Sequence, residues 1–169
     1  MIDKKSIIIY FSRADENYSV GFIEKGNTEV IAEYIKDFSG SDIFKVEPAN
    51  TYAKDYNTCI EEAKERQANH DAPIVQELPD LSDYEVIYLG APVYWGNMPE
   101  ELVTALKDKN YNGKTIRPFV THEGSGLANI PNQISEVCKG ANVLDAIAIK
   151  GSLVYSSKEI IKDWIKYGK

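Results

Sequence analysis

The chain has 169 residues, enough for one domain of ordinary size with a real core. With 43% hydrophobic and 27% charged residues it reads as soluble and globular, and no stretch nears the roughly 20 apolar residues of a membrane helix. A formal net charge of −7 with no basic cluster argues against nucleic-acid binding; an acidic surface serves solubility or the attraction of basic protein partners.

Residues 1–6 hold two lysines but no signal-type apolar run, so a cytoplasmic location is expected. Ser6-Ile7-Ile8-Ile9-Tyr10-Phe11 is continuous and β-branched, the pattern of a strand buried on both faces. Residues 28–38 place Val30, Ile31, Tyr34, Ile35 and Phe38 at helical spacing, and Ser39-Gly40-Ser41 ends that helix. Residues 42–47 read as a second strand, closed by Pro48. Residues 54–69 favour helix, with Tyr56, Cys59, Ile60 and Ala63 on one side. Residues 71–83 contain two prolines and read as a loop.

A third strand is expected at 85–90, then a helix at 99–107 with Pro99 in its first turn. Residues 114–121 read as a fourth strand, in which Pro118 is out of place. Pro131 breaks 128–138, so its helix starts near there. A fifth strand is expected at 143–149 and a final helix at 157–167, capped by Ser156 or Ser157. Neither Cys59 nor Cys138 lies in a CxxC, and two unpaired thiols are expected. Five strands alternating with five helices, with no linker or repeat, predict one α/β domain over residues 1–169 with a mainly parallel sheet.

In such sheets ligands bind outside the carboxyl ends of the strands. The loops after strands one, three and four are the unusual segments here. Residues 12–28 end in Gly26-Asn27-Thr28 at a helix start. Ser12, Asn27 and Thr28 offer donors to a phosphate, and Gly26 lets the backbone come close. The same pattern fits an ordinary loop before a helix capped by Asn27 or Thr28. The motif is neither GxxxxGK[ST] nor GxGxxG. Residues 91–98 bring Tyr94 and Trp95 to the sheet edge, where they offer a flat surface to a planar ring or pack under a neighbouring loop. Residues 121–126, Thr121-His122-Glu123-Gly124-Ser125-Gly126, form a bendable polar loop. His122 has no Ser/His/Asp arrangement around it and reads as a loop histidine beside the ligand. No His/Cys cluster has metal-ligand spacing, so no metal is expected.

Together the segments Tyr10-Phe11-Ser12-Arg13 with Gly26-Asn27-Thr28, the G-x-P-x-x-W-G run from Gly90 to Gly96, and Thr121–Gly126 resemble the flavodoxin superfamily over nearly the whole chain. The resemblance implies a flavodoxin-like three-layer sandwich, a five-stranded parallel sheet of order 2-1-3-4-5 with helices on both faces, and FMN at its edge. It assigns the phosphate to Ser12, Gly26, Asn27 and Thr28, with Arg13 adding charge. It assigns the isoalloxazine to Pro92, Val93, Tyr94, Trp95, Gly96 and Asn97, and the ring's pyrimidine edge to Thr121, His122, Glu123, Gly124, Ser125 and Gly126.

Two departures stand out. Residues 14–25 insert a long excursion with Tyr18 and Phe22 into the first loop. The third loop lacks the aromatic residue that typical flavodoxins stack on the outer flavin face, leaving that face open or covered by Trp95, Tyr94 or the excursion. Two functions follow from the resemblance: an electron carrier between redox protein partners, or an NAD(P)H-dependent FMN oxidoreductase acting on a quinone or similar small-molecule acceptor. A domain that has lost flavin is the third alternative. Neither nucleic acid nor membrane is an expected partner, and monomer and homodimer are both compatible.

Overall fold

The structure is a computed structural model and describes residues 4–168. In chain order its elements are β1 (Ser6–Tyr10), β2 (Asp15–Asn17), β3 (Gly21–Ile23), α1 (Asn27–Ser39), β4 (Asp42–Lys45), α2 (Tyr56–Asn69), β5 (Val86–Pro92), α3 (Glu100–Leu106), β6 (Thr115–His122), α4 (Ile130–Val137), β7 (Asn142–Val143), β8 (Ile147–Lys150), a 3-10 helix (Gly151–Ser156) and α5 (Lys158–Tyr167). The main sheet runs β4-β1-β5-β6, with β7 and β8 both pairing β6, and every pairing in it is parallel. With β7 and β8 taken as one interrupted strand, this is the expected order 2-1-3-4-5.

The interruption has a local cause. Lys114 O and Ile116 O accept from Asn142 N and Leu144 N, so the even-numbered residues of β6 turn their backbone groups toward the fifth strand. Pro118 faces the same way and has no N–H to give. The fifth strand breaks there: β7 pairs only Thr115 and Ile116, and β8 resumes at Phe119. The continuous strand expected at 143–149 is therefore two short ones, and the proline that looked out of place is accommodated by the gap.

Alternation along β1 builds the two cores. Ile7, Ile9 and Phe11 face a cluster with Cys59 and Ala63 of α2, Leu102, Ala105 and Leu106 of α3, and Ile130 and Ile134 of α4. Ile8 and Tyr10 face the other side, against Val30, Ile31 and Ile35 of α1 and Ile161 and Trp164 of α5. Arg117 fastens α5 to the sheet by donating to the carbonyls of Trp164 and Ile165. Both cysteines are buried and unpaired.

The caps differ from those expected. Gly26, not Asn27 or Thr28, is the N-cap of α1 and no side chain of its own caps it. Ser157 does occupy the N-cap of α5, but its hydroxyl donates to Val154 O, and that of Ser156 donates to Leu153 O. Among the described residues no helix is long and apolar enough to cross a membrane.

Candidate functional site

The carboxyl ends of β1, β5 and β6 open onto a cavity of about 330 Å³. Its first wall is the start of α1. The first-turn N–H groups of a helix have no intrahelical acceptor. Here Glu29 N finds one in Ser12 Oγ at 3.0 Å, reaching back across the long first loop. Gly26 makes that approach possible: a Cβ there would stand 2.1 Å from Ser12 Oγ and 2.8 Å from Arg13 O. Thr28 Oγ1 lies 2.7 Å from Thr121 Oγ1, tying the first loop to the third through two buried hydroxyls.

Arg13 does not aim its guanidinium at this helix end. Its Nη1 donates to Glu16 O at 2.5 Å, and its Nη2 to Ala53 O and Lys54 O at 2.6 and 2.8 Å. The residue is 8% exposed and lies in no ion pair among the described residues. The guanidinium expected to add charge at the phosphate keeps that charge but points its two terminal nitrogens at three backbone carbonyls.

The second wall is the loop after β5. Tyr94 N donates to Asn97 O at 2.8 Å and Asn97 N to Tyr94 O at 3.0 Å. Trp95 and Gly96 between them have φ of 52° and 79°, so a tight turn of the left-handed kind closes the loop. Neighbouring helices clamp it. Gln67 Nε2 donates to Tyr94 O at 2.6 Å, Asn129 N to Gly96 O at 2.9 Å, and Trp95 Nε1 to Ile60 O at 2.6 Å. The two aromatics part ways. Tyr94 packs edge-on against Phe11 and Tyr52, and burial pushes its phenol well above the ordinary value. Trp95 remains 49% exposed.

The third wall is the loop after β6. Gly124 N donates to His122 Nδ1 at 2.9 Å, so the neutral ring carries its proton on Nε2. The Glu123 carboxylate folds back to the end of β8, where a Cβ on Gly151 would stand 2.1 Å from its Oε1 and 2.4 Å from Asn27 Nδ2.

The structure brings Ser12, Arg13, Asn27, Thr28, Pro92, Val93, Tyr94, Trp95, Thr121, His122, Glu123 and Ser125 to the cavity wall. Gly26, Gly96, Asn97, Gly124 and Gly126 are not on it; they belong to the turns that shape it. The wall also contains Asn17 and Tyr18 of the insertion and Tyr56, Cys59, Ile60 and Ala63 of α2. The apolar stripe of α2 was visible in the sequence, but nothing there showed that it lines the cavity as well as packing into the core. Burial pushes the Cys59 thiol up to about 11, so at neutral pH it is an uncharged apolar surface.

Among the described residues, four buried side-chain polar atoms have no partner: Arg13 Nε, Tyr94 Oη, Glu123 Oε1 and Glu123 Oε2. All four belong to residues of this cavity. A second cleft, of about 460 Å³ between residues 78–82 and 109–114 at the opposite edge of the sheet, has none. Its buried Lys114 Nζ donates to Leu81 O and Tyr84 O.

A doubly wound α/β domain with a ligand-sized cavity at the carboxyl edge, against a helix N-terminus, is the class that fold and site define. The family model described as flavodoxin matches residues 17–167, and the chain belongs to that family. No curated protein matches it by sequence. Solved structures share its fold. A flavoprotein candidate from Bacteroides uniformis is 22% identical, with 96% of this chain and 98% of that one covered and a TM-score of 0.76. A flavoprotein of Lactobacillus acidophilus, solved in complex with FMN, is 20% identical over 98% and 99% of the two chains, at a TM-score of 0.67. Flavodoxin 2 of Bacillus cereus, in its oxidised form, is 18% identical over 96% and 98%, at 0.55.

Proposed function

We propose that this cavity binds FMN and that the chain carries electrons between redox partners in the cytoplasm. One observation carries the binding: every buried side-chain polar atom left without a partner among the described residues belongs to a residue that lines this one cavity. Unsatisfied buried donors and acceptors cost folding energy unless a ligand or water answers them. The donor set suits FMN. The N-terminal turn of α1 with Ser12, Asn27 and Thr28 is polar and anion-favouring, as a phosphate requires. The α2 face with Cys59, Ile60 and Ala63 is apolar, as a flavin ring requires. The Lactobacillus acidophilus protein, which shares the fold, was solved in complex with FMN.

Bound FMN supplies one- and two-electron redox chemistry; the protein binds it, orients it and sets the charge around it. The clamped turn Tyr94-Trp95-Gly96-Asn97 would give the ring a rigid flank. Two oppositely charged side chains at the wall, Arg13 and Glu123, set the local potential. The carrier reading is supported by a half-exposed Trp95 at the mouth, which leaves an aromatic edge open to a partner protein.

The test is a titration of the purified protein with FMN, followed by absorbance and flavin fluorescence. Saturable binding at one FMN per chain is expected, and a colourless protein that ignores added FMN overturns the reading. With FMN bound, oxidation of NADPH with a quinone should stay near background. Sustained turnover there would make the chain a reductase instead of a carrier.

A further inference from the structure

The insertion at residues 14–25 folds as the β2–β3 hairpin and is fixed to the body of the domain. Arg13 donates to Glu16 O on one side and to Ala53 O and Lys54 O on the other. Glu16 N donates to Lys54 O at 3.1 Å, and Tyr56 N donates to Glu16 Oε2 at 2.8 Å. Asn17 Nδ2 donates to the carbonyls of Arg13, Ala14 and Asp15, closing the base of the hairpin. These bonds place Tyr18, in the turn between the two strands, on the cavity wall with its ring 5.7 Å from that of Tyr56.

Tyr18 is nevertheless 61% exposed. A large aromatic held at a cavity mouth by a fixed scaffold, yet mostly wet, is apolar area still to be covered. Of the other aromatic residues at the wall, Tyr56 lies behind Tyr18 in ring contact with it, and those of the loop after β5 are committed elsewhere. Tyr94 is packed among Phe11 and Tyr52, Trp95 is tethered to Ile60 O on α2, and the loop 121–126 has no aromatic residue.

Resting on the FMN reading above, we propose that Tyr18 is the aromatic cover of the flavin ring, delivered by the hairpin from the first loop because the third loop has none to offer. Arg13 is then a positioning residue, which holds the hairpin so that the ring stays at the mouth. Planar rings in contact attract each other beyond the area they bury, so losing one should weaken binding roughly two- to thirteenfold.

Wild type, Tyr18→Ala and Tyr18→Phe would be titrated with FMN and with lumiflavin, which has the ring but no phosphate. Tyr18→Ala should lose affinity for both by the same factor, and its bound FMN should be brighter and more open to quenching by iodide. Tyr18→Phe should behave as wild type. Far-UV circular dichroism should be unchanged throughout, since Tyr18 is mostly exposed. Equal affinity and equal iodide access in wild type and Tyr18→Ala would overturn the proposal. So would a loss confined to FMN, which would mean that the hairpin acts on the phosphate end. If the wild type binds neither flavin, it is the FMN reading itself that fails.

Discussion

At the scale of single residues, the site depends on how closely backbone and side chain approach around Gly26. Its φ of −62° is ordinary, so the requirement for glycine here is space, not backbone freedom. Ser12 Oγ and the Arg13 carbonyl fill the volume a methyl group would need. The carbonyl is backbone and cannot rotate aside. Gly26→Ala should therefore cost roughly 1–3 kcal/mol of stability by overpacking. It should also weaken FMN, because Ser12 or the chain at Arg13 must leave the start of α1. Urea unfolding and an FMN titration would measure the two losses; a variant matching wild type in both would show that the approach is looser than the structure has it. Arg13 makes the contrasting point. Its neighbour Ser12 faces the helix end while its own guanidinium turns away to three backbone carbonyls.

At the scale of elements, β6 and the broken fifth strand are a matched pair. Even-numbered residues of β6 serve the fifth strand, and Pro118 is the one that cannot donate. The gap between β7 and β8 sits where a donor would have been. Pro118→Ala restores an N–H that faces this gap in a buried position. An unpaired buried donor costs about 1–3 kcal/mol, so the variant should be less stable by about that much despite losing a strand-breaking residue. The urea midpoint measures it, and a midpoint at or above that of wild type would show that the fifth strand closes onto the new donor. Because β8 ends at Lys150 and Gly151 follows it against Glu123, the pairing of β8 with β6 also helps to place one wall of the site.

At the scale of the whole molecule, the cavity joins parts that are far apart in the chain. The Thr28–Thr121 contact links residues 93 positions apart, and the wall draws on α1, α2 and the loops after β5 and β6. A ligand that binds there binds the folded state alone, so it should stabilise the entire domain. At a free concentration one hundred times its Kd the gain is about 2.7 kcal/mol. The thermal midpoint should rise with FMN concentration and rise less with riboflavin at the same concentration, which lacks the phosphate that the start of α1 favours. Equal shifts with the two flavins would remove the phosphate role from Ser12, Asn27 and Thr28.

What the sequence determined by itself was the alternation of elements, and through it a mainly parallel sheet; the strand order came only with the resemblance to flavodoxins carried by the three loops. Apolar runs at 6–11 and 85–90 and helical spacing in 28–38 are local patterns, set by periodicity that needs no partner to be read. The three loops were legible because glycines, prolines and polar residues cluster where strands end. Tertiary structure alone decided the rest. Whether Ser12 would reach Glu29 N, whether Tyr94 would face ligand or core, and where Arg13 would aim depend on which segments meet across the fold, and chain distance does not encode that. The insertion is the clearest case. Its sequence shows Tyr18 and Phe22 in a long excursion, but only hydrogen bonds to Ala53 and Lys54, some 40 residues away, put Tyr18 at the mouth of the cavity.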